Sequence, residues 1–146
     1  MIGFFYKACR KLYNAIKQLF YTPLAKLQFI LNEVKVSNGL KVNGFIKVIV
    51  TRRGIVNIGE NLSINSGNNY NIIGRQQKTI FWVEGKLTIG KNSGMSSTAI
   101  ICNHEIEIGN DVTIGGNTVI YDTDFHSLDT SIRMDKTKDK LNAKWG

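Results

Sequence analysis

The chain has 146 residues, enough for one domain with one modest core. Its composition, 42% hydrophobic and 21% charged, is that of an ordinary globular protein. The formal charge of +8 favours anionic partners, yet no helix-turn-helix, zinc or RNA-binding pattern accompanies it, which argues against nucleic acid.

Glycine is plentiful (14 residues), Pro23 is the single proline, and asparagine is common. Gly and Asn tolerate positive φ. With valines and isoleucines between them, they suggest tight corners joining short strands. Cys9 and Cys102 lie far apart and read as reduced thiols. No run of 18 apolar residues exists to span a membrane. The start, MIGFFYKACRKLYNAIK, has charges inside its apolar stretch and so lacks the continuous apolar region of a secretory signal. A cytoplasmic address is the expectation.

Residues 1–35 read as an N-terminal amphipathic helical segment. Phe5, Cys9, Leu12, Ile16 and Leu19 recur at spacings of four and three, which places them on one stripe. Lys7, Arg10, Lys11, Asn14, Lys17 and Gln18 fall opposite. Thr22-Pro23 looks like an N-cap followed by proline at the first helical position, so two short helices are expected. Two roles stand for the stripe. It caps the open end of the next region, or it lies on an anionic membrane with its lysines outward.

From Val36 the period becomes six. Val36, Val42 and Val48 are six apart, and Leu40 and Ile46 follow the first two by four. The phase resets near Ile58, continues at Ile64, and resumes at Val83, Ile89, Met95 and Ile101. One extra residue shifts it to Cys102 or Ile108, then Ile114 and Ile120. Written out, the repeats are IGENLS, IGKNSG, IGNDVT and IGGNTV. A six-residue period is what a three-sided coil requires, at about eighteen residues per coil. Val42, Val48, Ile58, Ile64, Ile89, Ile108, Ile114 and Ile120 are expected inside, with Ser93, Val112 and Thr118 filling the remainder. Asn61, Asn92, Asn110 and Asn117 suit the corners. Residues 66–79, SGNNYNIIGRQQKT, break the phase and read as a loop leaving one corner. Both a functional loop and a plain surface excursion fit it.

The hexads joined to IYDTDFHSLD, Ile120 to Asp129, resemble the hexapeptide-repeat acyltransferases, of the maltose, galactoside and polysaccharide O-acetyltransferase type. The resemblance covers residues 36 to about 133. It implies a mainly β fold, a left-handed parallel β-helix over 36–146, against the usual right-handed crossover. It also implies a homotrimer with sites between neighbouring subunits, acetyl-CoA as donor, and a histidine at the place of His126 as general base. Such chains usually return for further coils that carry much of the acyl-CoA site. Here no hexads follow up to Lys144-Trp145-Gly146, so a C-terminally truncated version is expected.

Acyl transfer from a thioester to a hydroxyl needs a base, and histidine titrates near neutrality. The thioester is already activated, so no metal is required. Asp122, Asp124 and Asp129 surround His126. Asp124, two residues before it and on the same face of an extended segment, is the expected partner of the imidazole. Asp122 and Asp129 are the expected sugar-hydroxyl ligands. His104 reads as a solvated corner and Cys102 as a small interior hydrophobe. Two histidines argue against the three-histidine metal site of carbonic anhydrases with this fold. The leading reading is an acetyl-CoA-dependent O-acetyltransferase acting on a sugar of a surface glycan, with peripheral membrane contact through the basic helix as one option. N-acylation of an amino sugar and a non-enzymatic β-helix that only assembles or binds glycan are the alternatives.

Overall fold

The structure is a computed structural model. It describes residues 2–71, 73 and 77–143, with Gln18 and Lys140 described in backbone alone. One long helix, α1 (Ile2–Leu31), precedes twelve short strands. The expected break at Thr22-Pro23 does not occur. Pro23 lies on the exposed side of α1, where the carbonyl left without a proline N–H can turn to water. Thr22 caps no second helix. Its Oγ1 accepts from the Val42 N–H at 3.0 Å and so ties α1 to the β region.

The strands wind through four coils. The first holds β1 (Lys35–Val36), β2 (Lys41–Asn43) and β3 (Lys47–Val50). The second holds β4 (Ile55–Ile58), β5 (Ser63–Asn65) and β6 (Ile80–Val83). The third holds β7 (Lys86–Ile89), β8 (Gly94–Ser96) and β9 (Ala99–Cys102). The fourth holds β10 (Glu105–Ile108), β11 (Thr113–Ile114) and β12 (Val119–Tyr121). They form three four-stranded sheets, β1-β4-β7-β10, β2-β5-β8-β11 and β3-β6-β9-β12, and every pairing is parallel. This is a three-sided parallel β-helix.

Hexad residues stack as the period requires. Val42, Ile64, Met95 and Ile114 are in register in the second sheet. Val36, Ile58, Ile89 and Ile108 are in register in the first. Seven of the eight residues expected inside are buried, and Ile120, on the last coil, is half-buried. At the ambiguous shift Cys102 points inward and Ile101 outward, because Cys102 stacks on Val83. Coils are longer than eighteen residues: Lys86 pairs with Glu105 nineteen positions on and Lys35 with Asn57 twenty-two on, while the coil from Ile55 to Lys86 takes thirty-one because it includes the 66–79 loop.

One corner is a ladder of side-chain amides. Asn61 donates to Asn92 at 3.0 Å, and Asn92 donates to Asp111 at 2.9 Å. All three have positive φ. The corner residue of the last rung is therefore Asp111, not Asn110 as the repeat suggested. Asn110 accepts from the Lys91 N–H instead. Above the ladder stands Gly39 at φ +81, where a Cβ would fall 2.1 Å from the side-chain Oδ1 of Asn61.

Residues 66–79 do leave the prism between β5 and β6. Ser66 pins the base, its Oγ donating to the Phe45 carbonyl and accepting from the Thr79 N–H. The loop descends onto the fourth coil, where Asn71 and Ile73 approach Gly116 closely enough to leave no room for a Cβ. Residues 72 and 74–76 of this loop lie outside the described residues.

α1 closes the first coil, but not with the expected stripe. Ala25 and Phe29 are buried, and the Phe29 ring meets Phe81 edge-on at 5.6 Å. The Asn32 side chain accepts from the Val50 N–H on the strand edge. Phe5, Cys9, Leu12, Ile16 and Leu19 are all exposed.

Candidate active site

After β12 the chain leaves the coils. Asp122 takes the place that Val50, Val83 and Cys102 hold in earlier coils. In the coil above, the Glu84 and Gly85 N–H groups donate to the Cys102 carbonyl. One coil on, the Asn103 and His104 N–H groups donate to the Asp122 carboxylate, at 2.6 and 2.8 Å. Asp122 thus satisfies half-buried backbone donors at the end of the stack. The role expected for it, meeting a sugar hydroxyl, is not what these contacts show: both carboxylate oxygens are engaged by backbone N–H groups. Burial, followed by the nearby Asp122 charge, pushes the Cys102 thiol up to about 11, so it stays protonated near neutral pH.

A tight turn follows. Thr123 is buried, and its Oγ1 accepts from the Phe125 N–H at 3.1 Å. Phe125 has a φ of 61, an unfavourable angle for a side chain of that size. The turn delivers His126 to the side of the last coil. His126 is half-exposed, and its Nδ1 lies 2.7 Å from Asp139 Oδ2.

Asp139 belongs to the second of two short helices, α2 (Thr130–Arg133) and α3 (Lys136–Asn142). Its other oxygen accepts from the Ser127 N–H at 2.6 Å. Asp139 is buried, its side chain 11% exposed. The His126 hydrogen bond first, then the Ser127 N–H, hold it below the usual carboxylate range. Against an ionised carboxylate, Nδ1 must carry the proton, which leaves Nε2 as the basic nitrogen.

The imidazole partner is therefore Asp139 and not Asp124, which is exposed on the turn. Asp129 is the N-cap of α2, accepting from the Ser131 N–H and hydroxyl at 2.8 and 2.7 Å. These bonds, the hydroxyl first, lower its carboxyl below the usual range. Asp135 caps α3 in the same way. An aspartate at each N-cap position, Asp129 and Asp135, is the one sequence signal for helices over 130–142, and it does not say that they bring Asp139 back to His126.

His126 and Asp139 border a cavity of about 680 Å³ at the corner between the third and first sheets. Trp82, Ile101, Phe125 and His104 also line it. His104 is thus not remote from His126. It follows β9 as His126 follows β12, and both reach the same corner. Among the described residues there is no cluster of three or more His, Cys, Asp or Glu side chains arranged to hold a metal. Chemically, the arrangement offers an oriented base beside a half-apolar cavity. Comparisons of the chain with protein-family models, with curated proteins and with solved structures found no match.

Proposed function

We propose that this chain is an acetyl-CoA-dependent O-acetyltransferase of the left-handed, hexapeptide-repeat kind, acting on a sugar hydroxyl in glycan assembly within the cytoplasm. The observation that carries the reading is the His126 imidazole, held by Asp139 through Nδ1 at the mouth of a cavity on a coil corner. In this reading Nε2 of His126 takes the proton of the acceptor hydroxyl as its oxygen attacks the thioester carbonyl. The tetrahedral intermediate collapses, the carbon–sulfur bond breaks, and the leaving thiolate receives the proton from the imidazolium. Asp139 fixes the ring and stabilises its charged form, the division of labour seen wherever a carboxylate backs a catalytic histidine.

The outer face of the third sheet supports the homotrimer in this proposal. Ile49, Trp82, Ile101 and Tyr121 are in register there and point outward. The outward residues of the first sheet are mostly polar, among them Lys35, Asn57, Thr88 and Glu107, with Ile55 as an exposed apolar residue. An apolar row beside the cavity fits a neighbouring subunit that completes the site.

The test is release of free CoA thiol from acetyl-CoA in the presence of sugar acceptors. Parent protein should turn over, and His126→Ala should lower turnover by about a hundred- to ten-thousand-fold with little change in acceptor KM. Equal rates for parent and variant would end the base role.

A further inference from the structure

The apolar stripe of α1 faces away from the β-helix. At 3.6 residues per turn, eighteen residues complete five turns. Ala25 and Phe29, the buried pair, therefore share an azimuth with Lys7 and Lys11, eighteen residues earlier. Cys9, Leu12 and Tyr13 share theirs with Leu27, Ile30 and Leu31, and all six are exposed. The result is one apolar face about 45 Å long at 1.5 Å per residue, uncovered along its whole length. Among the described residues no helix is long and apolar enough to cross a membrane.

The charges decide what covers this face. α1 contains Lys7, Arg10, Lys11, Lys17 and Lys26 and not one Asp or Glu. Arg10 and Lys17 border the apolar arc on one side, and Lys26 on the other. A seam between copies of this helix would bring these cations together without acidic partners. An anionic lipid surface would supply the counter-charge, while long basic stems reach up from the apolar boundary. We propose that α1 lies in the plane of an anionic bilayer surface, apolar face down, and holds the β-helix at the membrane. α1 docks on the first coil, whereas His126 follows the fourth, three strand spacings or about 14 Å further along the stack, and the cavity it borders is lined from the second coil onward with no residue of α1. The two therefore do not compete for the same surface.

The test is flotation of the full chain with phosphatidylcholine vesicles, with and without phosphatidylglycerol. The chain should float with the anionic vesicles and much less with the neutral ones. Ile16→Glu places a charge on the exposed face, so its circular dichroism and melting should match the parent while vesicle binding falls at least tenfold. Arg10→Gln with Lys26→Gln should weaken anionic binding by about thirtyfold, two cations at about 1 kcal/mol each. Absence of vesicle binding, or equal binding to both vesicle types, overturns the proposal. So does an assembly that ignores vesicles and dissociates in sedimentation when Ile16→Glu is introduced, which would make the face a seam between copies.

Discussion

At the first coil the stack is shut by an aromatic plug: Phe29 is fully buried against Phe81, with Ala25 beside it. At the fourth coil the same task falls to carboxylates. Asp122 binds two backbone N–H groups, and Asp139 binds the Ser127 N–H and His126. The apolar end depends on area removed from water, which is insensitive to pH. The polar end depends on charge-assisted hydrogen bonds, which are not. In the proposed function the chemistry sits at the polar end, because a base needs an ionised partner and access to solvent.

Truncating each end should expose the difference. Phe29→Ala should lower the unfolding free energy by about 3–5 kcal/mol in urea titration, since it leaves a cavity that the coil cannot collapse into. Phe125→Ala, at the half-exposed turn of the other end, should cost well under that, and it also removes a ring from an unfavourable backbone angle. Equal losses at the two ends would break the comparison.

Acid should separate them more finely. The folded-state pKa of Asp139 lies below its unfolded value. Its contribution is therefore complete above the unfolded pKa of about 3.9 and is lost as pH falls through the lower folded value. Amide exchange measured on acidification in that window should accelerate over residues 123–143 while coil 1 stays protected. Asp139→Asn should show the loosened pattern already at neutral pH. Simultaneous loss at both ends would contradict the division.

The coils were legible because their rule is local. A six-residue period reports a side of the prism wherever Ile, Val or Leu recurs, and Val42, Ile64 and Ile114 needed nothing else. The turn bearing His126 was legible for the same reason, as a polar segment directly after the last hexad. Its partner was not. Asp139 lies thirteen residues further on, beyond two capped turns of helix, in a lysine-rich stretch whose pattern carries no apolar face. Proximity along the chain favoured Asp124, but a positive φ at Phe125 turns the backbone between Asp124 and His126. The fate of the helical stripe was hidden too. Periodicity marks a stripe as apolar without saying which face meets the protein, and here Ala25 and Phe29 made that choice from the other side of the helix.

The central claim is that Asp139 holds His126 with its proton on Nδ1. Long-range ¹H–¹⁵N correlation of the labelled imidazole at a pH where His126 is neutral reads the tautomer directly. The account predicts an Nδ1–H tautomer in the parent and its loss in Asp139→Asn with the backbone spectrum of the coils preserved. A neutral His126 protonated at Nε2 in the parent would contradict it.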